Sequence, residues 1–133
     1  MTNLDTLRVL LYEAGSTGYT WVYNTQLTPD SDLDMIKTTY RELPGEGLGG
    51  GGKRTFIFEP TFDVFADANQ DNFPKSQFVQ LIYIQPWMLD QILLPDGTID
   101  AALAEQLEIE YFLADITVEI TLGQSNWCRG KWQ

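Results

Sequence analysis

Histidine is absent from this chain of 133 residues. That removes the commonest general base and the commonest transition-metal ligand together. A serine triad of the usual kind cannot be built, and the single cysteine, Cys128, has no imidazole to activate it. One cysteine also excludes an intramolecular disulfide framework and a four-cysteine zinc site. No apolar run approaches the roughly 20 residues needed to cross a bilayer, so no membrane partner is expected. The opening Met-Thr-Asn-Leu-Asp carries neither the basic nor the apolar region of a signal peptide. Cations are scarce: eight Lys and Arg face nineteen Asp and Glu, for a net charge of −11. Between Thr55 and Cys128 twelve acids stand against one base, Lys75. Such a surface repels phosphates, which argues against direct nucleic-acid binding, and attracts basic partners.

The chain has the material for a packed core, with 44% apolar and 13% aromatic residues. One domain spanning residues 1–133 is expected at this length. Its centre is Gln77–Ile84, apolar on both alternating faces: Phe78, Ile82 and Ile84 on one, Val79, Leu81 and Tyr83 on the other. A strand of that kind belongs inside a sheet with something packed on each side.

The fold expected around it is α+β, a mainly antiparallel sheet of about five strands with an N-terminal helix and two short later ones. Asn3–Ala14 reads as the first helix, with Leu4, Leu7 and Leu11 on one face, Leu10 beside them, and Gly15 as its stop. Gly18–Asn24 reads as a short aromatic strand. Leu33–Leu43 fits either a helical stripe or a strand; Thr38-Thr39-Tyr40 and the hairpin geometry favour a strand. Thr55–Ala66 alternates as a half-buried strand, with Pro60 pointing to a sheet edge or a bulge. Pro86 starts one short helix and Thr98 caps another. Leu107–Leu122 reads as a long strand whose apolar phase flips near Phe112–Leu113, where a bulge or bend is predicted.

Three motifs bear on chemistry. Gly47-Leu48-Gly49-Gly50-Gly51-Gly52-Lys53 imitates a phosphate-binding loop, but Arg54 occupies the Ser/Thr position and a strand follows in place of a helix. The stretch 45–53 reads instead as a flexible hairpin tip. Asp67-Ala68-Asn69-Gln70-Asp71 opens like a calcium loop, yet Asn72 and Phe78 stand where Gly and Glu are required. Glu108 and Glu110 share a strand face, which is ordinarily a solvated one. No cofactor and no enzymatic activity are expected.

The missing catalytic groups, the glycine loop and a basic, tryptophan-containing tail at 123–133 suit a subunit that works by contact. The expectation is a structural component of a bacteriophage tail or head–tail junction, located in a virion or host cytoplasm. It would bind copies of itself or neighbouring structural proteins. The alternative is an acidic inhibitor or nucleic-acid mimic seated in a basic cleft. Candidate contact residues are Gly47, Leu48, Gly49, Gly50, Lys53, Arg54, Trp127, Arg129, Lys131 and Trp132.

Overall fold

The computed structural model describes residues 5–14, 17–29, 31, 33–42, 51–61 and 75–120. The calcium-like stretch 67–72, the candidates Gly47–Gly50 and the tail candidates Trp127–Trp132 lie outside them. Among the described residues six strands and two short helices follow in order: β1 (Leu7–Glu13), β2 (Thr20–Tyr23), β3 (Leu33–Glu42), β4 (Gly52–Pro60), β5 (Lys75–Ile84), α1 (Pro86–Ile92), α2 (Ala101–Gln106) and β6 (Phe112–Ile120). They form two antiparallel three-stranded sheets, β1-β4-β3 and β2-β5-β6. The single-sheet α+β expectation is therefore corrected to a largely β architecture.

β5 has the place its two apolar faces require. Val79 and Leu81 meet Leu33, Phe56 and Phe58 of the other sheet, with Val118 and Ile120 of β6. Ile82 and Ile84 point the opposite way and pack beneath the helices against Ile92 and Ala104. The layers run sheet, sheet, helices, and β5 is the middle strand of the middle layer.

The N-terminal helix is absent; that segment is β1. Leu7 and Leu11 are four apart, so they share a face at either a helical or a strand period and decide nothing. Their neighbours discriminate. Val9 turns inward with Leu7 and Leu11, while Leu10 is 54% exposed, the reverse of what a helix requires. Of the stretch Leu33–Leu43, the described residues Leu33–Glu42 are strand, with a bulge between Met35 and Lys37. Pro60 ends the middle strand of its sheet, paired with Leu33 of β3 on one side and lying past the last β1 pair, Leu7 with Phe58, on the other. The long C-terminal strand is shorter than expected: Leu107 caps α2, and β6 begins only at Phe112. The phase flip marks the start of a strand. Before it, Ile109 and Tyr111 pack against the helix-side core.

The second helix is capped by Asp100, whose carboxylate accepts from the Leu103 amide, and not by Thr98. The turn before it is pinned to the sheet. Buried Asn24 donates to the Gly97 carbonyl and to Gln80 Oε1, both at 2.8 Å, and Gln80 donates onward to Asp115. Gly97 has φ +90°, and a Cβ there would stand 2.4 Å from the Leu27 amide nitrogen. Gly97→Ala combines backbone strain with a clash against main chain, so a loss of roughly 3 kcal/mol is expected in urea unfolding.

Candidate functional site

Polar and aromatic groups concentrate at one end of the sandwich. β1 finishes there at Glu13, which pairs with Gly52 at the start of β4; Gly52 pairs in turn with Glu42 at the end of β3. In the other sheet, Thr20 at the start of β2 pairs with Ile84 at the end of β5. The β1–β2 connection and the β5–α1 connection therefore emerge side by side, next to the strand ends that bracket residues 43–50.

The two described connections touch. Gln85 Nε2 donates to the Thr17 carbonyl at 3.0 Å. This explains why Gln85, at the N-cap of α1, makes no side-chain cap. Gly18 has φ +80°, and a Cβ on it would lie 2.7 Å from Trp87 Cη2. Only glycine combines that backbone with the indole alongside. Trp87 is nevertheless 61% exposed, and Pro86, Thr17 and Gly18 are exposed beside it. Beneath them Tyr83 contacts Tyr19, Trp21 and Phe112, at ring-centroid distances of 5.3, 5.0 and 6.3 Å. The Tyr83 hydroxyl accepts from the Ala14 amide at 2.8 Å, and Tyr19 donates to the Glu110 carbonyl at 3.2 Å. The exposed segments therefore rest on a rigid aromatic floor.

Glu13 is 6% exposed and fully partnered. Its Oε1 accepts from Thr20 Oγ1 at 2.7 Å, the Trp21 amide at 3.0 Å and Arg54 Nε at 3.1 Å; Oε2 accepts from Arg54 Nη2 at 3.0 Å. The Arg54 guanidinium also lies 5.3 Å from the centroid of the Tyr40 ring. Burial alone would raise the Glu13 pKa. The hydrogen bonds from Arg54, Thr20 and the Trp21 amide, with the Arg54 charge, outweigh it and hold the carboxyl below its ordinary 4.5. A depressed folded-state pKa means that the stabilisation is complete above about pH 4.5 and is lost as pH falls through the folded value. The stability advantage of the native chain over Glu13→Gln should therefore shrink in urea titrations carried from pH 7 down to pH 3.

Of the expected contact residues that are described, Lys53 is exposed and Arg54 is a half-buried ion-pair partner of Glu13. Gly52 belongs to β4 and is there for close approach, since a Cβ would come 2.1 Å from the Arg41 carbonyl oxygen. Thr17, Gly18, Gln85 and Trp87 were not anticipated from the sequence. The available signals were a glycine flanked by bulky residues and a Pro-Trp pair closing the central strand. Glu108 and Glu110 lie in the segment after α2, not on a strand; Glu108 has φ +59°. Among the described residues no group of three or more Cys, Asp or Glu is placed to hold a metal ion. No described helix is long and apolar enough to cross a membrane.

No curated protein and no solved structure matches the chain. A family model does: the chagasin family of peptidase inhibitors, I42, matches residues 1–93 of 133. The matched stretch contains β1 to β5, α1 and both touching connections. This overturns the expected bacteriophage structural subunit. Inhibitors of this kind act by protein–protein contact with a peptidase, which is the partner the match indicates. With seven tenths of its length matched, the chain belongs to the chagasin family of peptidase inhibitors.

Proposed function

We propose that this protein inhibits a peptidase by presenting Thr17–Tyr19 and Gln85–Trp87 to the enzyme's substrate cleft. The observation that carries the reading is the joint between the two connections. The Gln85–Thr17 hydrogen bond and the seating of Gly18 against Trp87 make one preformed, solvent-facing edge. An edge fixed before binding loses little conformational freedom on docking, which is what a tight inhibitor needs. Trp87 supplies a large apolar anchor and the surrounding main chain supplies polar groups. Residues 43–50 join Glu42 to Gly51, so Gly47, Leu48, Gly49 and Gly50, with Lys53, are proposed to add contacts beside this edge.

The test is titration of the purified protein against peptidases of the cysteine, serine, aspartic and metallo classes, each with a fluorogenic peptide substrate. Saturable, reversible inhibition of one class is expected. Shortening Gly47–Gly50 to a tight turn should weaken that inhibition without changing the thermal midpoint. Full peptidase activity in every class at excess inhibitor overturns the reading.

A further inference from the structure

The carboxylate of Glu13 stands where three chain segments meet, and its bonds are unevenly distributed. It is the last residue of β1, directly before the connection that carries Thr17 and Gly18. Through Oε1 it accepts from Thr20 and Trp21, the first two residues after that connection. One side chain thus closes the connection across its own base. The Arg54 fork then ties the closed base to β4, two residues beyond Gly52, where the chain returns from residues 43–50. Arg54 Nη2 also reaches Thr20 Oγ1 at 3.4 Å, so the guanidinium contacts both ends of the joint. The Trp21 indole, donating to the Tyr12 carbonyl at 2.8 Å, fastens the same two strands from the other side.

A pair of charges taken out of water is a poor source of stability, because desolvation offsets most of the attraction. It is a good source of geometry, since a bidentate fork fixes distance and plane together. We propose that Glu13 and Arg54 are positioning residues for peptidase recognition: they set the pose of the Thr17–Tyr19 segment and couple it to the chain entering β4. The inference rests on the inhibitor reading above. Neither side chain touches the peptidase; each acts through the main chain it holds.

Three variants and two readouts test it. Glu13→Gln keeps the shape and loses the charge. Arg54→Lys keeps the charge and loses the fork. Val79→Ala weakens the core, where Val79 is fully buried and its side chain takes no part in the Glu13–Arg54 bonds. Inhibition constants are measured at a temperature where unfolding curves show all three folded, and amide exchange of Thr17–Tyr19 is followed in the same samples. Glu13→Gln is expected to raise the inhibition constant about tenfold or more, as for a ligand whose competent pose becomes a minor one. Arg54→Lys should fall between Glu13→Gln and the native protein, and Val79→Ala should inhibit normally. Exchange at Thr17–Tyr19 should accelerate in Glu13→Gln and stay unchanged in Val79→Ala.

Native inhibition by Glu13→Gln, or an equal loss in Val79→Ala, overturns the proposal and leaves the pair a purely structural one. If the native protein inhibits no peptidase, the inhibitor reading fails, and exchange alone judges the positioning. Faster exchange in Glu13→Gln then shows only that the pair sets the pose of Thr17–Tyr19, its role in peptidase recognition being overturned with the reading, and unchanged exchange overturns both.

Discussion

Replacing Trp87 with alanine is expected to remove most of the inhibition while leaving the fold intact. The side chain is 61% exposed and begins a helix whose buried contacts come from other positions, Ile92 above all. Its truncation therefore creates no cavity in the core. At an interface the same side chain is the kind of group that carries binding energy, because a large rigid ring desolvates at little entropic cost. A loss of about 2 kcal/mol or more is expected, equivalent to a rise of roughly thirtyfold in the inhibition constant. Thermal melting should differ from the native protein by no more than about 2 °C, as for a surface substitution. An unchanged inhibition constant would remove Trp87 from the contact surface and move attention to the chain between Glu42 and Gly51.

The largest stability effect is expected at Phe58. This ring is fully buried, meets Tyr23 edge-on at 5.1 Å and stacks on Phe56 at 6.4 Å. Tyr23 belongs to the opposite sheet, so Phe58 joins the two halves of the sandwich as well as filling its centre. Phe58→Ala loses the transfer energy of the ring and leaves a hole that two sheets cannot close independently. The cost should be about 3–5 kcal/mol, a large share of the roughly 5–15 kcal/mol that holds a domain together. Differential scanning calorimetry should show the midpoint falling by roughly 10–20 °C. A fall of only a few degrees would mean that the sheets repack around the gap.

The sequence showed best what one strand can show by itself. β5, the short β2 and the inward phenylalanines of β4 were legible because alternation is a local property. Proline at the first turn of α1 was legible for the same reason. The failures are equally local in origin. Leu7 and Leu11 satisfy two periods at once, and the neighbour that decides between them, Leu10, reveals its side only when β4 lies alongside. The shift at Phe112 has two readings, a bent strand or a strand that starts late, and the packing of Ile109 against the helices selects the second. The site was the least legible part. Thr17 and Gln85 are 68 positions apart, and nothing in either neighbourhood announces the other. The charge excess after Thr55 points to the body of the protein, whereas the edge proposed to bind is made of a glycine, a tryptophan and main-chain groups.

The middle position of β5 also sets the order in which the protein can mature. Its partners are distant in the chain: Tyr23 opposite Leu81 on one side, Tyr83 opposite Phe112 on the other. Local turns contribute little to this sheet, so its nucleus must close long loops before pairing rewards them, and folding on the millisecond-to-second scale of non-local β proteins follows. On the ribosome the first sheet can assemble once β4 has emerged, while β2 waits for β5 with its aromatic side chains unpaired. The edge that joins Thr17 to Gln85 comes into being only at that second closure. A nascent chain that stops short of β5 carries half the sandwich and cannot form the edge proposed to bind.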